Sequence, residues 1–140
     1  MTQEKPLPTW LLALSGMLVV FNFVLFGWMT LFAPQITWPD AGSGGVFPAQ
    51  FFAVRHIAFA LPLLRGVIKR DAKLLTTMYH IFLVIAVLDV ALILVNGYYI
   101  PLLVQVLGET SRLTGALLAA VMFIIPMGYT VRYLHANHNE

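Results

Sequence analysis

Residues 10–32 run without one charged side chain, a stretch of about 23 residues that can cross the hydrocarbon core of a bilayer as a helix. Three further apolar stretches follow, over about 48–68, 74–96 and 112–133. In hydrocarbon every backbone polar group must be satisfied inside the spanning structure, so runs of this length select the α-helix. The expected fold is all-α: an integral membrane four-helix bundle, antiparallel in up-down-up-down order, forming a single transmembrane domain over residues 1–140.

Composition supports lipid as the solvent. Hydrophobic residues make up 60% of the chain and charged residues 10%, whereas a soluble domain carries about 25% charged residues. The formal net charge is only +2 and the basic residues are scattered through short loops, which excludes a nucleic-acid surface. Cysteine is absent, which excludes disulfides, thiolate metal sites and thiol catalysis. The first apolar run is longer than a signal-peptide core and no small-residue cleavage site closes it, so it reads as a retained helix.

A lead over residues 1–9, with Pro6 and Pro8, suits an extended approach to the first helix. The non-cytoplasmic loop 33–47 is rich in Pro and Gly and lacks Lys and Arg, with Trp28 and Trp38 as interfacial anchors. Pro62 should kink the second helix, and Pro126 with Gly128 should bend the fourth. The second loop, 97–111, contains an apolar segment, 98–107, too short to span and either interfacial or helical. Lys5, Arg65, Lys69, Arg70, Lys73 and Arg132 fall on one side and only Arg112 on the other. The positive-inside rule then makes the turn 69–73 and both termini cytoplasmic, as in a multi-pass protein of the inner membrane.

Polar groups within the apolar runs are the candidates for function: Asn22 on the first helix, Arg55 and His56 on the second, and His80 and Asp89 on the third, with Gln50 as a secondary candidate. A rise of about 1.5 Å per residue places Asn22, Arg55 and Asp89 in the middle-to-outer half of the bilayer, with His80 about 10 Å above the basic end. A lone Arg or Asp at a helix centre costs about 2.5–3.5 kcal/mol, so an intramembrane ion pair between Arg55 and Asp89 relieves two penalties. Such a pair either fixes how two helices dock or orients Arg55 toward a ligand in a polar pocket, with His56 nearby to exchange protons. His135 and His138 fall in a polar tail, and no set of three or four convergent metal ligands is evident, so no metal site is expected. The chain contains no G-x-x-x-x-G-K, G-x-S-x-G or H-E-x-x-H pattern.

The run Leu31-Phe32-Ala33-Pro34, then Ala49-Gln50-Phe51-Phe52 leading into Arg55, a basic turn, and Asp89 late in the third helix resembles the DoxX-like group of small bacterial membrane proteins. The likeness covers roughly residues 22–94. It implies the four-helix architecture and, from members linked to quinone-coupled oxidation of sulfur compounds, a quinone as the cofactor to test.

Together these features predict an intramembrane pocket, built on Arg55 and Asp89 with Asn22 and His56, that binds a small amphipathic or lipid-soluble ligand such as a quinone or lipid. If the protein is an enzyme, the fitting class is a membrane oxidoreductase or isomerase acting on a lipophilic substrate. The alternatives are an accessory subunit of a larger membrane complex or homo-oligomer, and a small proton-linked transporter.

Overall fold

The computed structural model describes residues 6–37, 46–96 and 112–138. Their regular elements are all helical: α1 over Thr9–Phe32, a single turn α2 over Pro34–Thr37, α3 over Val46–Lys69, α4 over Ala72–Asn96 and α5 over Leu113–His138. Among the described residues, α1, α3, α4 and α5 are the four helices long and apolar enough to cross a membrane. The loop 97–111 with its segment 98–107, and Lys5 and Trp38, lie outside the described residues.

The α3–α4 junction is built by local chemistry. The Arg70 backbone N–H donates to Val67 O at 3.3 Å and that of Asp71 to Gly66 O at 3.0 Å, while Arg70 adopts a left-handed φ of 52°. These two bonds form a Schellman motif, with Arg70 where glycine is usually found. Asp71 then opens α4: its Oδ1 accepts from the Leu74 N–H at 2.9 Å, the bond expected of an N-cap. The whole reversal is completed between Lys69 and Ala72.

Two helices contain π-helical segments. In α5 the segment is Ala120–Ile124, ending two residues before Pro126. Proline supplies no N–H and its ring crowds the carbonyl four residues back, so a widened turn accommodates it. In α1 the segment is Phe21–Met29, which contains no proline. There the Asn22 Nδ2 donates to Leu18 O at 2.8 Å, taking the carbonyl that its own backbone N–H would use in an α-helix. Near the other end, Thr30 Oγ1 donates to Leu25 O at 3.3 Å, five residues back. The helix of α5 also continues past Tyr133 to His138. The change to polar residues there marks the edge of the apolar face, and no Gly or Pro is present to stop the helix.

α1 packs along α3, α3 on α4, and α4 along α5. Trp10 at the start of α1 meets Tyr129 and Tyr133 on α5, with ring centroids 5.9 and 5.2 Å apart. The largest buried apolar side chains, Leu11, Leu63, Leu75, Tyr79 and Leu134, gather at the end of the bundle that carries Arg65, Lys69 and Lys73. There Ser15 Oγ and Tyr79 Oη share a buried hydrogen bond of 2.9 Å between α1 and α4. Toward the opposite end the buried residues are small: Gly27, Thr30, Ala49 and Ala53 between α1 and α3, and Ala86, Gly115, Ala116 and Ala119 along α4 and α5. Lipid tails are as apolar as leucine, so close approach of backbones at small residues, more than apolar burial, holds such pairs together. The architecture is two tightly packed helix pairs joined mainly through the large side chains at the basic end.

Candidate functional site

The π-helical segment of α1 faces α3 with Asn22 and Gly27, both buried. Gly27 has no room for a side chain: a Cβ there would lie 2.5 Å from Ile57 Cγ1 and 2.8 Å from Asn22 O. This close approach sets the depth at which α3 presents His56, one residue before Ile57. Gln50, a turn and a half earlier on α3, donates from Nε2 to Leu31 O at 3.4 Å and ties the same two helices farther along.

His56 Nδ1 lies 2.7 Å from Asn22 Oδ1. The Asn22 NH2 group is already committed to Leu18 O, so its amide oxygen is the atom that faces the imidazole. An amide oxygen can only accept, and His56 therefore carries a proton on Nδ1. In the neutral ring this leaves Nε2 with a lone pair. That Nε2 is buried and has no hydrogen-bond partner among the described residues. Two aromatic rings lie against the imidazole, Phe52 at 4.2 Å and Phe26 at 5.3 Å between centroids, and they also meet each other at 6.3 Å.

Arg55 precedes His56 on α3, and its guanidinium carbon lies 5.3 Å from the centre of the Phe52 ring, within cation–π range. Its side chain is exposed. Asp89 on α4 is also exposed and makes no direct salt bridge with Arg55 among the described residues. The expected ion pair is not formed as a direct contact among the described residues. Counted from the turn at Arg70, Asp89 lies about one helical turn, ~5 Å, farther along than Arg55, and the two side chains are staggered.

The structure thus brings together Asn22 and His56, with Arg55 adjoining on α3 and Gln50 a turn and a half earlier on the same helix, while Asp89 stands on α4. His80 lies elsewhere: its Nδ1 is 2.8 Å from Thr76 O and its Nε2 is 3.2 Å from His135 Nε2 on α5. Phe26 and Phe52 belong to aromatic runs that read as packing or lipid-facing surface, and nothing in their spacing marks the two that lie against His56. Chemically, the cluster combines a fixed cation rich in donors, one imidazole lone pair and two aromatic faces. No family model, no curated protein and no solved structure matches the chain, so the cluster is interpreted from its own residues.

Proposed function

We propose that this protein is an inner-membrane bundle in up-down-up-down order, with both termini cytoplasmic, that binds a small lipid-soluble or amphipathic ligand such as a quinone or related lipid beside Arg55 and His56. One observation carries this reading: His56 is held by Asn22 so that, among the described residues, its buried Nε2 lone pair has no partner, and the next residue on the helix, Arg55, makes no salt bridge with any described residue. Buried polar atoms are almost always paired, and an orphan calls for an explanation such as a ligand. Arg55 offers donors to a carbonyl or anionic headgroup, Nε2 accepts from a hydroxyl, and the Phe26 and Phe52 rings suit a flat apolar body. The resemblance to the DoxX-like group points the same way, and the distribution of Lys and Arg supports the orientation.

The test is thermal unfolding in mild detergent of the wild type, Arg55→Leu, Asp89→Leu, the double variant and His56→Leu, each with and without an extracted lipid and quinone pool. The expected result is stabilisation of the wild type by the pool and loss of that stabilisation in Arg55→Leu and His56→Leu while both remain folded. If the pool changes none of the proteins, the cluster serves docking of helices, and the accessory-subunit reading takes its place.

A further inference from the structure

His80 and His135 are distant in sequence and meet across the α4–α5 contact, with ring centroids 5.0 Å apart and planes at 82°. The partner of His80 Nδ1 is the Thr76 carbonyl at 2.8 Å, which can only accept. His80 is thereby held as the Nδ1–H tautomer, and its Nε2 presents a lone pair toward His135. A backbone carbonyl bonded to the far ring nitrogen is the support that orients a histidine for metal ligation. Thr76 is itself buried and anchored by its hydroxyl to Ala72 O at 2.8 Å, so the support rests on a rigid part of α4.

The separation of the two Nε2 atoms is 3.2 Å. Two imidazole nitrogens at about 2.0–2.1 Å from one ion stand roughly 3.3–3.4 Å apart in tetrahedral geometry and about 2.9 Å apart when cis in an octahedron. The pair already stands at the spacing of adjacent ligands. We propose that His80 and His135 form an interhelical site for a divalent transition-metal ion of the zinc or copper class. Imidazole favours such ions over calcium and magnesium. Among the described residues no group of three or more His, Cys, Asp or Glu gathers, so water fills the remaining positions, and both histidines are exposed enough for it to reach them. Without metal, His135 Nε2–H donates to the His80 lone pair. On binding, that proton moves to His135 Nδ1 and each Nε2 bonds to the ion. The ion then clasps α4 to α5 at the basic end of the bundle, apart from Arg55 and His56.

The test uses the chain without a polyhistidine tag, in detergent, with Zn2+ alone and then with EDTA. Zn2+ is expected to raise the unfolding midpoint of the wild type by several degrees, EDTA to reverse it, and His80→Gln and His135→Gln each to abolish it. His138→Gln should keep the full shift. With Cu2+ alone, electron paramagnetic resonance should count two imidazole nitrogens in the wild type and at most one in either variant, a readout that does not depend on the stability of the variants. The inference is overturned if Zn2+ produces no shift, if the shift survives in both single variants, or if copper shows a single imidazole in the wild type.

Discussion

The His56 imidazole and the Asn22 amide, 34 positions apart in sequence, are locked at 2.7 Å with donor and acceptor assigned by a third group, the Leu18 carbonyl. The lock fixes which nitrogen of His56 bears the proton. Histidine-labelled protein should therefore show, by 15N NMR, His56 protonated at Nδ1 and bare at Nε2. Asn22→Ala should restore the more common mixture of tautomers and cost about 1–3 kcal/mol, the range for leaving a buried group without its partner. A His56 spectrum unchanged by Asn22→Ala would rule out the lock.

Ser15 and Tyr79 share the buried hydrogen bond between α1 and α4. Tyr79→Phe and Ser15→Ala should each destabilise by about 1–3 kcal/mol, because each leaves one hydroxyl buried and unpaired. The double variant should lose clearly less than the sum, as expected for residues in direct contact. Chemical unfolding in mixed micelles reads this coupling, and strict additivity would refute the contact.

Gly27 leaves no space for a methyl group against Ile57. Gly27→Ala should separate α1 from α3, lower stability by about 1–3 kcal/mol through overpacking, and disturb the His56 environment. Gly27→Ala combined with Ile57→Ala should recover part of the loss. The same NMR signal of His56 reports both effects, and a Gly27→Ala variant of unchanged stability would contradict the packing.

At the α3–α4 junction, Arg70 holds a left-handed conformation that a side-chain-bearing residue adopts at a cost of about 1–2 kcal/mol. Arg70→Gly should stabilise the fold, by less than that because glycine also loosens the unfolded chain. Asp71→Ala removes the N-cap of α4 and should cost about 1 kcal/mol. Thermal midpoints moving in opposite directions for these two variants are the expected outcome.

The spanning helices are legible because apolar length is a property of each segment by itself. The polar candidates are legible for a related reason: Asn22, Arg55, His56 and Asp89 interrupt apolar runs, and the cost of placing them in hydrocarbon marks them individually. Their partners are another matter. Charge complementarity points from Arg55 to Asp89, whereas the short contact made is from His56 to Asn22, which depends on the π-helical rotation of α1 and on the space left at Gly27. Serine and tyrosine are unremarkable in apolar helices, so the Ser15–Tyr79 bond has no separate signature. The His80–His135 approach is hidden by the assumption that a helix ends where its apolar face ends. His135 lies beyond that boundary but still on the helix.

The concentration of bulky buried side chains at the basic end gives the molecule a mechanical asymmetry. Like forceps joined at one end, the two helix pairs share a pivot of large side chains, while toward the other end small residues pack within each pair. A change of acyl chain length or sterol content confined to the leaflet around the far end is therefore expected to act on that end, beyond Asn22 and His56 near the helix midpoints, and to leave the pivot unmoved.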